Sequence, residues 1–200
     1  MAGYLIGSIP FSYILPRWLK GIDIRKSGSK NVGAANVYIC CGILPSLMAG
    51  VLDVGKGVAA VMIAKGIANG LAHYEAVLVM AGLAAIIGHI RPVFLGFVGG
   101  KGIATTCGVL VNLVPKEIFI AAIVWIGVAA ISRYATVAGL VAGPAVPLLV
   151  WYFSRSTFLV ISTAIMVLLV GLMTISSYKA LFAGTALRIG QGELRQKKNS

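Results

Sequence analysis

Gly88-His89-Ile90-Arg91-Pro92-Val93-Phe94-Leu95-Gly96-Phe97-Val98-Gly99-Gly100-Lys101-Gly102-Ile103-Ala104-Thr105-Thr106 separates two apolar runs and carries five glycines, a histidine, an arginine, a proline and a lysine. A loop this rich in glycine lets backbone N–H groups crowd around a ligand, and an apolar helix following it aims its positive N-terminal end at the same point. Lys101 adds a mobile point charge of the kind used on phosphoryl oxygens. Two readings fit: a phosphate cradle, or a tight basic connector that anchors two membrane helices at the lipid headgroups.

The apolar runs on either side set the fold class. Of 200 residues, 59% are hydrophobic and only 11% charged, and the mean hydropathy is +0.97, whereas soluble domains carry about 25% charged residues. An all-α integral membrane protein is expected, as a single membrane domain. The net charge of +12 does not imply a nucleic-acid partner, which needs charges gathered on a soluble face with stacking aromatics; here the charges lie between apolar runs. No cleavable leader is expected, since the first positive charge is Arg17. Cys40, Cys41 and Cys107 lack metal-ligand spacing and read as small apolar residues.

Seven spans are predicted, at about 1–16, 43–64, 71–90, 103–115, 118–132, 135–153 and 156–178, with polar loops at 17–42 and 91–102 and a tail at 179–200. The first is broken by Gly3, Gly7, Pro10 and Pro16 and covers roughly 24 Å at 1.5 Å per residue, just short of a ~30 Å hydrocarbon core. Thirteen Lys and Arg residues follow odd-numbered spans, Arg195, Lys197 and Lys198 of the tail among them, while Lys65, Lys116 and Arg155 fall on the other side. The positive-inside rule then puts the N-terminus outside and the C-terminus in the cytoplasm. Both polar glycine-bearing loops share the cytoplasmic face in this topology.

The first of those loops, Lys20 to Asn36, reads KGIDIRKSGSKNVGAAN. Its composition suits an irregular loop with exposed backbone donors, so it is either a second anion cradle or a solvated positive loop. In the second span Asp53 and Lys56 lie three apart, on one helical face. Charges inside a membrane helix are costly unless paired or facing a polar cavity; the two are expected to pair, structurally or at a substrate.

Familiar catalytic motifs are missing. A P-loop fails because Leu95 stands five before Gly100 and Gly102 follows Lys101. There is no G-x-G-x-x-G, no H-x-x-x-x-D (Phe94 stands in that place after His89), and no metal-ligand cluster.

Four ordered motifs do carry a resemblance: Gly7-Ser8-Ile9-Pro10; Ser27-Gly28-Ser29-Lys30-Asn31-Val32-Gly33-Ala34-Ala35-Asn36; Asp53-Val54-Gly55-Lys56-Gly57; and Gly88 through Thr105. Over Met1 to about Gly139 the chain resembles the acyl-phosphate-dependent glycerol-3-phosphate acyltransferases of bacterial membranes. The resemblance implies seven helices and a cytoplasm-facing site in the bacterial inner membrane. It implies acyl phosphate and glycerol 3-phosphate as substrates, lysophosphatidic acid and phosphate as products in phospholipid synthesis, no cofactor or metal, and an acyl-phosphate-supplying enzyme as partner. It also implies that the two loops hold the two phosphate groups.

An acyl phosphate is an activated mixed anhydride, so the protein needs mainly to position the acceptor hydroxyl and stabilise charge. On that expectation Lys101 and the amides of Gly99, Gly100 and Gly102 bind a phosphate, with Thr105 in the same motif. Ser29, Asn31, Gly33 and Asn36 form the facing cradle. His89 orients the loop or assists proton transfer, and a substrate phosphate oxygen accepts the hydroxyl proton. Asp53, Lys56, Thr136 and Lys179 are supporting residues.

The chain also departs from the family pattern. Tyr38 and Ile39 stand where a basic residue is usual, and Gly139 where a serine is. Thr174 to Leu181 reads Thr-Ile-Ser-Ser-Tyr-Lys-Ala-Leu in place of His-Arg-x-Asn-Ile-x-Arg-Leu, leaving Lys179, Gly184 and Thr185, with Arg188 as a substitute. A relative with altered acceptor choice or little activity is therefore an alternative, and a small transporter or binding protein is another.

Overall fold

The computed structural model describes residues 1–186, 188, 189 and 191. Arg195, Lys197 and Lys198 of the expected tail lie outside the described residues. The described residues contain helices and no strands: α1 (Ala2–Ser8), α2 (Phe11–Lys20), α3 (Ala34–Cys41), α4 (Ile43–Ala68), α5 (Tyr74–Ile90), α6 (Ile103–Leu113), α7 (Pro115–Ser132), α8 (Ala135–Phe153) and α9 (Thr157–Phe182), with a 3₁₀ turn at Val93–Leu95. Five of them, α4, α5 with its 3₁₀ extension, α7, α8 and α9, are long and apolar enough to cross a bilayer.

The expected first span, 1–16, is two helices. Pro10 has no N–H to donate, and α1 ends before it at Ile9, whose backbone is extended. The second piece, α2, runs past Arg17 to Lys20 and stops at Gly21, which is left-handed at φ 66°. One face of α2 buries Ser12, Leu15 and Pro16, while Trp18 is 78% exposed beside Arg17 and Lys20, a pattern suited to the bilayer interface.

Other boundaries shift for local reasons. The expected loop 17–42 contains the end of α2 and all of α3, which is capped by Gly33 in extended conformation. The span expected at 43–64 continues to Ala68, with Lys65 Nζ donating to the Asn112 carbonyl at the end of α6. The span expected from 71 begins at Tyr74. Pro115 starts α7 instead of closing α6, as expected of a residue that fits the first helical turn but not an interior. The last span continues past 178, so Lys179 lies in helix α9 instead of in the tail.

Packing groups the chain into two compact units, Met1–Leu113 and Val114–Gln191. In the front unit α1 packs along α5 and α4 along α6. Small residues set both contacts: a Cβ on Gly3 or Gly7 would strike the backbone of Ala81 or Ala85, one on Gly88 the Tyr4 carbonyl, one on Gly57 the Thr105 carbonyl, and one on Gly108 the Val54 carbonyl. Backbones that approach this closely gain dispersion contact where lipid offers no hydrophobic drive. Beneath the first loop Leu15, Ile24, Val32, Val37, Cys41 and Ala49 form a buried cluster, and Leu95 of the 3₁₀ turn packs against it. In the back unit α8 packs against α7 and α9.

Candidate active site

The break between α1 and α2 is where the polar chemistry of the front unit begins. At the break before Pro10 the Ile9 carbonyl accepts from Lys56 Nζ at 2.9 Å as well as from the Phe11 N–H at 3.2 Å. Lys56 also meets Asp53 Oδ1 at 2.8 Å, both side chains only 2% exposed. The other carboxylate oxygen, Oδ2, accepts from Ser12 Oγ at 2.6 Å. The expected i, i+3 pair is thus real, and it also fastens both pieces of the broken first segment to α4.

His89, in the last turn of α5, extends the cluster. Its Nδ1 lies 3.6 Å from Asp53 Oδ1 and 3.2 Å from Thr105 Oγ1 at the start of α6. Its backbone carbonyl accepts from the Gly100 N–H at 3.1 Å. Gly100 has no room for a side chain: a Cβ there would collide with the Val32 carbonyl and with His89 Nε2, and one on Gly99 with the His89 and Ile90 carbonyls. Gly102 adopts φ +85°, a conformation that glycine takes at no steric cost, and its carbonyl accepts from the Thr106 N–H as α6 begins. Between them Lys101 is half-buried, and burial pushes its ammonium below the ordinary lysine value.

The first loop is built around Asn36, which is fully buried. Its Nδ2 donates to the carbonyls of Ile24, Ser27 and Asn31, and its Oδ1 accepts from the Ser29 N–H at 2.8 Å. The Asn36 amide is therefore spent on holding the loop. Asn31 is half-buried with its Nδ2 over Gly33, while Ser29 is exposed. At the loop's far side Arg25 grips Asp23 by Nε at 3.0 Å and Nη2 at 2.8 Å and lies over the Tyr13 ring of α2 at 4.8 Å. The Arg25 hydrogen bonds hold the Asp23 carboxyl down at about 2, against the opposing effect of desolvation.

The two glycine-bearing loops meet: Val32 of the first abuts Gly100 of the second. The structure therefore gathers Lys101, Gly99, Gly100, Gly102, His89, Thr105, Asp53, Lys56 and the Asn31–Gly33 turn within one unit. Thr105 is fully buried and occupied with His89, and the Gly100 N–H is engaged by the His89 carbonyl. Thr136 and Lys179 belong to the back unit, half-buried in α8 and exposed in α9. There Arg188 Nε donates to Tyr134 Oη at 3.0 Å and the Ile189 N–H to the Arg133 carbonyl. Thr174 donates its hydroxyl to the Val170 carbonyl of its own helix.

Sequence reasoning missed Ser12 and the Ile9 carbonyl. Pro10 was the available signal for the latter, since a helix broken at proline leaves carbonyls to be satisfied. Among the described residues no group of three His, Cys, Asp or Glu could hold a metal ion, and burial raises the thiols of Cys40 and Cys41, away from reactive thiolates.

Residues 1–184 match the family described as glycerol-3-phosphate acyltransferase. The chain belongs to that family. A glycerol-3-phosphate acyltransferase 2 of Moorella thermoacetica is 38% identical, with 96% of each chain covered, and a glycerol-3-phosphate acyltransferase of Sinorhizobium medicae is 40% identical over 94% of this chain and 90% of the relative. The fold also matches crystal structures of PlsY (YgiH), an integral membrane glycerol 3-phosphate acyltransferase. Its glycerol 3-phosphate form has a TM-score of 0.87 at 32% identity, covering 96% of this chain and 94% of that one. Its lysophosphatidic acid form has a TM-score of 0.83 at 31% identity, covering 94% and 92%.

Proposed function

We propose that this chain is a membrane acyltransferase that moves an acyl group from acyl phosphate to glycerol 3-phosphate, releasing lysophosphatidic acid and phosphate for phospholipid synthesis. The acceptor hydroxyl oxygen attacks the acyl carbon, the C–O bond to phosphate breaks, and the hydroxyl proton passes to a phosphate oxygen. No separate general base is needed, because phosphate is a good leaving group and a competent proton acceptor. The observation that carries the reading is the meeting of the two glycine-bearing loops at Val32 and Gly100 beside Lys101, in a chain whose family is that of glycerol-3-phosphate acyltransferases.

We assign one phosphate to Lys101 and to the amides of Gly99 and Gly102, with Gly100 holding the loop to the His89 carbonyl. Ser29, Asn31 and Gly33 form the facing cradle, and Asn36 shapes it from beneath. Thr105 and His89 support the glycine loop, as do Asp53 and Lys56 below them. Thr136 and Lys179, with Arg188, remain supporting candidates carried by the back unit. The topology that suits these roles is a single seven-crossing domain, with α1 and α2 together as the first crossing, α6 as the fourth and the N-terminus outside. Its active face then looks into the cytoplasm of a bacterial inner membrane, where an enzyme making acyl phosphate supplies the donor.

A second reading, altered acceptor choice, is favoured by one observation. Where the family commonly carries a histidine, Thr174 has its hydroxyl tied to Val170. Phosphate release from acyl phosphate, measured with and without glycerol 3-phosphate, separates the two. Release that depends on glycerol 3-phosphate supports the main proposal, and release that needs a different polyol phosphate supports the second. Solute flux across sealed vesicles with no phosphate release would contradict both.

A further inference from the structure

Asp53 and Lys56 could neutralise each other as an i, i+3 pair on α4 without help, yet the carboxylate is shared by side chains from two other helices. Ser12 of α2 donates to Oδ2 at 2.6 Å, and His89 Nδ1 of α5 stands 3.6 Å from Oδ1, opposite Lys56 at 2.8 Å. Buried ion pairs are weak contributors to stability and are commonly replaceable by apolar groups, so stability alone does not account for three partners on one carboxylate.

What the cluster controls lies one residue away. His89 Nδ1 is within hydrogen-bond reach of Thr105 Oγ1 at 3.2 Å and stands near the Asp53 carboxylate at 3.6 Å, its Nε2 faces the position a Gly100 Cβ would take, and the His89 carbonyl takes the Gly100 N–H. The His89 ring and the Val32 carbonyl together fill the space a Gly100 side chain would need, so the loop backbone is packed directly against the ring.

We propose that Asp53 and Thr105 are positioning residues that lock the His89 ring and thereby hold the Gly99–Gly102 loop in its phosphate-binding shape. The functional half of this role rests on assigning that loop to substrate phosphate; the structural half, control of loop geometry, does not. Neither residue touches substrate in this account, so their loss changes how well the loop is formed, at full occupancy of the fold.

The test uses the full chain in lipid nanodiscs. Asp53→Asn combined with Lys56→Met removes both charges together, so no unpaired buried charge remains to unfold the protein. Thr105→Ala strips the other ring contact with the ion pair intact, and Thr105→Ser returns the hydroxyl. The expected result is at least a tenfold fall in kcat for the double variant and a several-fold fall for Thr105→Ala, with thermal midpoints near the parent and activity restored by Thr105→Ser. Amide exchange across residues 96–103 is expected to accelerate in both impaired variants while exchange in α4 and α5 stays slow. If the double variant fails to fold, the Thr105 pair decides. Parent-like kcat and unchanged exchange across 96–103 would overturn the proposal. A parent protein that releases no phosphate counts against the proposed function alone, because the exchange measurement judges the loop regardless.

Discussion

The front unit, Met1–Leu113, and the back unit, Val114–Gln191, solve the same solvent problem with different chemistry. Buried polar side chains in the front unit reach across elements: Ser12 to Asp53, Lys56 to Ile9, His89 to Thr105, Asn36 to three carbonyls of its loop. In the back unit Ser162, Thr163 and Thr174 bond within their own helix, to Phe158, Leu159 and Val170, while Ser154 reaches Glu117 of α7. Self-satisfied hydroxyls cost little and specify little. Cross-element bonds in a low-dielectric interior are worth more when complete and cost more when broken, so a chain retains them where a geometry must be held. The difference sets the cross-element geometry of the front unit apart from the helices of the back unit.

That contrast can be broken experimentally, beginning where the effect is greatest. Lys101→Ala should lower kcat/KM by about 10²–10³-fold, the loss typical of removing one preorganised electrostatic contact to the reacting group; steady-state phosphate release checks it, and a change of less than threefold would remove Lys101 from the site. Gly100→Ala should cost about 10²-fold, because a displacement near 1 Å at a positioning element is enough for that, and its Cβ has only the Val32 carbonyl and the His89 ring to meet. Retention of full activity by Gly100→Ala would mean that the loop junction is not part of the working site.

A subtler effect concerns pH. Burial depresses the Lys101 ammonium, so the charged form is lost as pH rises through a value below that of ordinary lysine, near 10.4. KM for the phosphate substrate should therefore climb several-fold on the alkaline side, with the limb moving to higher pH in Lys101→Arg. A limb that stays in place would assign the titration to another group. The smallest effect is predicted in the back unit. Ser154→Ala removes the hydrogen bond to the buried Glu117 carboxylate and should cost about 1–2 kcal/mol of stability, read as a lower thermal midpoint, with kcat and KM unchanged.

Much of this was legible in the residues. An 11% charged composition fixes a membrane chain, the i, i+3 spacing of Asp53 and Lys56 predicts their pairing, and the glycines of 99–102 mark a loop, although their lack of room for side chains is set by tertiary neighbours. The illegible parts are those determined by tertiary partners. The run from Met1 to Pro16 shows its break at Pro10, but nothing in it shows that the Ile9 carbonyl at that break meets Lys56, 47 residues away. Asn31 and Asn36 look alike in a polar loop, yet only burial distinguishes the half-buried amide from the one wholly spent on its own backbone. The short helix α3 escaped notice because its eight residues carry little periodic signal.

The claim on which the rest depends is acyl transfer from acyl phosphate to glycerol 3-phosphate, and it is tested most directly by following isotope-labelled glycerol 3-phosphate with the purified chain in a bilayer. Addition of acyl phosphate should convert the label to lysophosphatidic acid, one molecule formed for each phosphate released, with Lys101→Ala silent under the same conditions. Phosphate release at an unchanged rate in the absence of acceptor, with no labelled lysophosphatidic acid formed, would contradict the account.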